Sequence, residues 1–309
     1  MKNVLITGSN GLLGQTLVNL LVTENHQNKH QNKINNKYNV IGFSRGENRS
    51  GRTDFTYISI DITDKKNLLQ ELKKHQPDVI INTAAMTNVD ACENNKTACD
   101  ALNIDAVKNL IAFSEENKTH LIHLSTDFIF DGKKGFYKET DVPNPLNYYG
   151  KSKLKAEEIL TKSTIKYTIL RTILVYGKVF DMSRSNIVLW VKKSLEENKK
   201  ITIVNDQYRM PTYVEDLALA CKLAMDNDIT GIFNISSNTL LSIYEIAQQI
   251  ATVFNLDKQL IAPISTKELG QKAMRPPKTG FDLTNTKSVL KFIPKSFEEN
   301  LQIFKEKLI

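Results

Sequence analysis

The chain has little of what a disulfide scaffold or a metal-bound domain requires. Its three cysteines, Cys92, Cys99 and Cys221, are an odd number at spacings that match no zinc site, so they read as free thiols. No run approaches the ~20 apolar residues of a membrane span, and the opening MKNVLITGSNGLLG enters a strand-like run at once, without the basic and apolar succession of a signal peptide. A cytoplasmic protein is therefore expected, with no membrane partner. Positive charge is present without being organised: the net charge is +7, which suits anionic ligands, but the lysines are scattered and no nucleic-acid recognition motif accompanies them. Nucleic acid is accordingly not expected as a partner.

What is present is alternation. Strand-like runs at Asn3–Thr7, Tyr38–Phe43, Phe55–Ile60, Asp78–Thr83, Leu121–Ser125 and Tyr167–Arg171 are separated by stretches with helical spacing at Leu12–Val22, Asp64–His75, Ala98–Asn117 and about 148–161. That order predicts βαβ units feeding a parallel sheet. After Gly177 the pattern loosens into three more helices and two more strands. The expected fold class is α/β, a Rossmann-type doubly wound parallel sheet over residues 1–178 with a smaller C-terminal α/β substrate lobe over 179–309, some of whose elements return to the main sheet. Residues 24–37, with a doubled HQNK and almost no apolar side chain, are expected to form a surface insertion. His26 and His30 lie at i, i+4 within it, with no third ligand nearby to make a metal site.

The first turn reads Thr7-Gly8-Ser9-Asn10-Gly11-Leu12-Leu13-Gly14. It follows a strand and opens a helix, as a dinucleotide-binding GxxGxxG turn must. Gly8 allows the turn, Gly11 lets backbone approach a pyrophosphate, and Gly14 lets helix and strand pack closely, with Asn10 and Leu12 in the same turn. At the tip of the second strand, Ser44 and Arg45 stand where a ribose-binding carboxylate would select NAD(H). An arginine there accommodates a 2′-phosphate, so NADP(H) is preferred and NAD(H) stays open. Asp61 and Ile62 close the third strand, where they either hold the adenine or cap the following turn. Thr83, Ala84 and Ala85 end the fourth strand in small residues suited to a backbone passing close to the ribose or nicotinamide.

Tyr149 and Lys153 lie at i, i+4, on one helical face. A phenol with a reference pKa of about 10 is a weak acid at neutral pH, and a neighbouring ammonium is expected to lower it. Tyr149 would then pass a proton to a carbonyl oxygen while Lys153 holds the cofactor ribose. Upstream, Thr126 ends the fifth strand and can hydrogen-bond the substrate oxygen, with Asp127 facing the cleft.

These residues resemble the extended short-chain dehydrogenase/reductases and, within them, the dTDP-4-dehydrorhamnose reductase family. The resemblance runs nearly end to end through GSNGLLGQ, INTAAMTNVDACE, HLSTDFIFDG, NPLNYYGKSKLKAEE, LRTILVYG, DQYRMPTYVEDLA and MRPPKTGFDL. It implies a catalytic triad of Thr126, Tyr149 and Lys153, an NADP(H) cofactor and a nucleotide-sugar substrate. That substrate would touch Thr126 and Asp127, with Asn186, Gln207, Arg209 and Arg275 as further contacts. It also implies a homodimer, magnesium-dependent in some bacterial members, although no carboxylate cluster here calls for the metal. The implied reaction is reduction of a 4-keto sugar. An epimerase, another 4-ketoreductase or a non-catalytic dinucleotide-binding regulatory subunit are the alternatives. Phe128, where the family often has tyrosine, and the segment 181–191 are departures that bear on which sugar fits.

Overall fold

The computed structural model describes residues 1–30, 37–181 and 186–308, with backbone alone for 28–30. From the N-terminus the elements are β1 (Lys2–Thr7), α1 (Leu12–His30), β2 (Tyr38–Ser44), β3 (Thr56–Ser59), α2 (Lys65–His75), β4 (Val79–Asn82), α3 (Val89–Asn94), α4 (Lys96–Asp100), α5 (Ala106–Asn117), β5 (His120–Thr126), β6 (Gly135–Tyr137), α6 (Tyr148–Lys162), β7 (Tyr167–Thr172) and β8 (Val175–Tyr176). The chain continues through α7 (Ile187–Glu196), β9 (Ile201–Val204), β10 (Tyr208–Arg209), β11 (Thr212–Tyr213), α8 (Val214–Asp226), β12 (Gly231–Ile235), β13 (Leu241–Ser242), α9 (Ile243–Val253), β14 (Ile261–Ile264), α10 (Thr266–Leu269), β15 (Lys278–Phe281) and α11 (Phe297–Glu306).

Seven strands form one sheet in the order β3-β2-β1-β4-β5-β7-β12, and every pairing in it is parallel. This is the doubly wound arrangement, and the strand order reverses between β1 and β4. Because side chains alternate along a strand, each central strand feeds two cores. Val4, Ile6, Ile81, Ile122 and Leu170 point to the layer with Leu17 of α1 and Leu217 of α8. Leu5, Ile80, Leu121 and Ile169 point to the layer with Leu68 of α2, Leu110 of α5 and Leu160 of α6. Each such buried side chain contributes roughly 1.5–3 kcal/mol, which is why these strands read as near-continuous apolar runs. Helix starts follow local chemistry. Asp64 caps α2 by accepting from the Asn67 amide at 3.1 Å, worth about 1 kcal/mol, and Lys73, Lys74 and His75 fill the last turn, where the helix dipole favours positive charge.

A second, four-stranded sheet, β13-β10-β15-β6, covers the C-terminal edge of the main sheet around Ile129, Phe130, Tyr137, Met210 and Phe281. The two sheets exchange segments: β12 closes the main sheet although it lies beyond residue 179, and β6, before residue 178, belongs to the small one. Three local expectations change. The first helix runs on to His30 instead of stopping at Val22, and Asn25, inside the stretch read as a surface insertion, is buried and donates to Tyr38 O while accepting from the Lys37 and Tyr38 amides. The expected 98–117 helix is α4 and α5 joined by a π-helical turn over Ala101–Asp105. The two-residue strands of the small sheet carry no periodicity from which to predict them. Residues 31–36 of the doubled HQNK stretch, the His30 side chain, and 182–185 of the unassigned 181–191 segment lie outside the described residues; His26 pairs with Asp54 at 2.8 Å.

Candidate active site

The site is set where α6 begins. Asn147 caps the helix by accepting from the Gly150 amide at 2.8 Å and donates to Met274 O at 2.9 Å. Tyr148 is pinned at both ends, its amide donating to Glu93 and its hydroxyl to Asp100. A Cβ at Gly150 would lie 2.9 Å from the Phe128 carbonyl carbon. Only glycine therefore lets the helix start press against the turn that leaves β5. This close approach brings Tyr149 beside Thr126.

Tyr149 is half-buried, and its ring meets that of Phe128 edge-on at 6.0 Å. Burial pushes the phenol's pKa up, opposed by a side-chain hydrogen bond with Thr126. Lys153, one turn on, is 2% exposed, and loss of solvent lowers its pKa to about 8, partly offset by Glu157 and Cys99. Its Nζ lies 3.0 Å from His123 Nε2. The expected net lowering of the Tyr149 pKa is thus corrected: desolvation outweighs neighbouring charges at both groups and shifts them in opposite directions, because it disfavours phenolate and ammonium alike.

Asp127 is buried, accepts from Thr126 and Thr279, and has Arg209 Nε at 3.8 Å. Burial raises its carboxyl pKa, with Arg209 pulling the other way. Arg209 is itself 3% exposed, donates to Tyr208 O and Pro276 O, and lies over the Phe128 ring. Beneath Lys153, Glu157 and Arg171 form an ion pair at 2.7 Å, both side chains 3% exposed.

The glycine turn follows β1 at the point where the sheet order reverses. Gly8 has φ +69°, and a Cβ there would lie 2.9 Å from the Ala84 amide. A Cβ at Gly14 would come 2.7 Å from Ser9 Cα, so neither position admits a side chain. Gly11 is exposed. Among the described residues a Cβ on it would meet one atom within 4 Å, Gly8 O at 3.1 Å, which leaves room for a phosphate over the first turn of α1, where backbone N–H groups lack helical partners. Thr83 donates to Thr7 O at 2.6 Å, holding Thr83, Ala84 and Ala85 against the turn. Asn10 donates to Arg45 O, Glu47 O and the Tyr57 hydroxyl and accepts from the Arg49 amide, tying the turn to the loop that begins at Ser44. The Arg45 side chain is 76% exposed, 3.7 Å from Asp61. Asp61 also accepts from the Thr63 amide and hydroxyl, whereas Ile62 is buried in the core. A dinucleotide's phosphates fit this set of residues: a cradle without side chains, a helix N-terminus and an exposed arginine at the strand tip.

The residues expected to touch substrate in the second lobe are braced internally. Asn186 caps α7 and donates to Gly177 O at 2.7 Å. Gln207 donates to Thr266 and Gln271, and half-buried Arg275 pairs with Asp90 at 2.8 Å. Thr126, Asp127, Tyr149 and Arg209 are brought together, Arg209 as the partner of Asp127. Sequence reasoning missed His123, Thr279 and the Glu157–Arg171 pair, and read Asn82 only as part of the small-residue strand end with Thr83, Ala84 and Ala85. Asn82 and His123 had left a signal, as polar side chains interrupting the apolar strands VIIN and HLIHLST. Thr279 lies in the quoted MRPPKTGFDL stretch.

The sheet order, the glycine turn at its reversal point and the Tyr149–Lys153 helix define an extended short-chain dehydrogenase/reductase. Within that class the chain belongs to the RmlD substrate binding domain family, whose model matches residues 1–309. It is 32% identical over 269 residues to Bos taurus methionine adenosyltransferase 2 subunit beta, covering 85% of this chain and 75% of the relative. It is 30% identical to a probable low-salt glycan biosynthesis reductase of Haloferax volcanii, covering 96% and 95% of the two chains. Among solved structures, a Bacillus anthracis dTDP-4-dehydrorhamnose reductase in complex with NADP superposes with a TM-score of 0.83 at 28% identity, over 99% of this chain and 100% of the other.

Proposed function

We propose that this chain is an NADP(H)-preferring reductase, able to use NAD(H), that reduces the 4-keto group of a nucleotide sugar, with dTDP-4-dehydro-L-rhamnose as substrate and dTDP-L-rhamnose as product. The observation that carries the reading is the placement of Tyr149 against Thr126, with Lys153 on the same helix, at the C-terminal edge of a doubly wound sheet whose reversal point holds a side-chain-free phosphate cradle. The fold and the likeness to the Bacillus anthracis enzyme support it.

In this reading Gly8, Asn10, Gly11, Leu12 and Gly14 shape the pyrophosphate site, and Ser44 and Arg45 receive the 2′-phosphate. Asp61 stands on the adenine side, with Ile62 packed in the core behind it, while Thr83, Ala84, Ala85, Tyr149 and Lys153 line the ribose and nicotinamide side. When bound, the reduced nicotinamide supplies hydride to the carbonyl carbon. Thr126 orients the carbonyl oxygen, and the Tyr149 phenol, kept protonated by its buried setting, gives that oxygen its proton. The Lys153 ammonium stabilises the phenolate left behind. Asp127, fixed by Thr279 and Arg209, shapes the wall next to Thr126.

Incubation with NADPH and a panel of 4-keto nucleotide sugars tests the proposal: one equivalent of NADPH should be consumed per reduced sugar, identified by mass spectrometry. Product formed without net NADPH loss would replace reduction by epimerisation. A non-catalytic regulatory role is the second reading, favoured by the 32% identity to the bovine subunit. It predicts dinucleotide binding with no turnover on any member of the panel.

A further inference from the structure

Three polar side chains cross the middle of the main sheet on the face that carries α6. Thr7 of β1, Asn82 of β4 and His123 of β5 are paired neighbours in strand register, and along their own strands they alternate with Ile6, Ile81 and Ile122 of the opposite core. They are linked end to end: Thr7 Oγ1 to Asn82 Oδ1 at 2.6 Å, Asn82 Nδ2 to His123 Nδ1 at 3.0 Å, and His123 Nε2 to Lys153 Nζ at 3.0 Å. All four are 2% exposed or less. Leu5, Ile80 and Leu121 fill the same face beside them, so packing alone gives no reason for a polar row there.

Counting donors shows what the row does. An ammonium has three donors and no acceptor, and His123 is the hydrogen-bond partner of Lys153 Nζ among the described residues. While Lys153 carries its proton, His123 Nε2 must accept and Nδ1 must hold the ring hydrogen, so Asn82 turns its amide oxygen to the ring and its NH2 to Thr7. When Lys153 is neutral the row reverses: Nε2–H donates to the amine, Nδ1 accepts from Asn82, and the Asn82 oxygen accepts from Thr7. A ring tautomer change and a flip that exchanges the Asn82 amide oxygen and nitrogen interconvert the two arrangements within the same side-chain positions.

We propose that His123 is a positioning residue for Lys153: anchored through Asn82 to Thr7, its imidazole is the acceptor that keeps the ammonium in an apolar interior, and its tautomer follows the proton on Lys153. The other groups facing Lys153 are Cys99 of α4 and Glu157 of its own helix, the latter already paired with Arg171 of β7. Both favour the charged lysine from a distance, without taking its hydrogen bond. Burial and the lysine's own charge hold the imidazole pKa well below its usual value, so it stays neutral and able to accept. The consequence for turnover rests on the reductase reading; the link between tautomer and lysine does not.

In His123→Leu the buried ammonium loses its acceptor, so the alkaline limb of the kcat/KM profile should move down by about one pH unit from its origin near the Lys153 pKa of about 8. His123→Gln, which restores an acceptor, should return most of that shift. An unmoved limb in a His123→Leu protein that melts normally and binds NADPH would overturn the proposal. A second measurement needs no variant with altered folding and no substrate. With the five histidines 15N-labelled and His123 identified from the His123→Gln spectrum, the ring of the unaltered protein should exchange its Nδ1–H tautomer for Nε2–H near pH 8 without passing through imidazolium. A tautomer constant from roughly pH 6 to 10, around the lysine value, overturns it. If the tautomer switches but no keto sugar is reduced, the reductase reading falls and the relay stands.

Discussion

The two ends of the candidate site are built on opposite plans. The dinucleotide end works by missing side chains: Gly8 and Gly14 let backbone segments close on one another, Gly11 leaves backbone exposed, and the side chains near it, Arg45 and Asp61, are 76% and 44% exposed. At the Tyr149 end Lys153, Asp127, Arg209, Glu157 and Arg171 are ionisable groups each no more than 3% exposed. An exposed ion pair is screened by water and contributes little, whereas a buried charge stripped of its partner is costly. Substitutions at the first end should therefore act through backbone shape and ligand affinity. At the second they should act through protonation and stability.

The largest effect should come from Tyr149→Phe. Loss of the proton donor lowers kcat by about 10²–10⁴-fold, while the NADPH Kd from calorimetry stays within about twofold because the glycine turn is untouched. Comparable losses in binding and turnover would mean the two ends are not separable. Glu157→Ala comes next. It leaves the Arg171 guanidinium buried and unpaired, and urea unfolding should register a loss of about 3–5 kcal/mol; a loss near that of a surface pair would contradict the division between the ends.

Gly8→Ala tests the other plan. With φ at +69° and the Ala84 amide 2.9 Å from the new Cβ, stability should fall by about 1–2 kcal/mol, accompanied by weaker dinucleotide binding and, in the fully bound enzyme, a kcat close to normal. The smallest effect is expected for Arg45→Ala, with NADPH affinity down by about tenfold, NADH affinity unchanged and the melting temperature unmoved, since only a phosphate contact of about 1.4 kcal/mol is removed. Equal losses for both dinucleotides would take Arg45 out of the 2′-phosphate site.

How much of this was legible in the residues depended on whether the signal was local. Strand and helix alternation predicted the parallel sheet, and the spacing of Gly8, Gly11 and Gly14 pointed to the cofactor turn, because each of these features lies within one element. The His123 row was not legible. Its members are 41 and 75 positions apart along the chain, and only strand pairing makes them neighbours. Arg209 had been assigned to substrate through the family resemblance; its burial beside Asp127 could not be read from DQYRMPT. The two-residue strands of the small sheet left no pattern at all.

Periodicity, glycine spacing and the i, i+4 offset of Tyr149 and Lys153 are properties of the chain's local geometry, and they were enough to specify a doubly wound dinucleotide fold with Tyr149 and Lys153 on one helical face. The protonation behaviour of that helix belongs to the assembled molecule. Whether Lys153 holds its proton is set by how much water the packed layers exclude and by which acceptor a neighbouring strand delivers. Both depend on contacts between residues far apart in sequence.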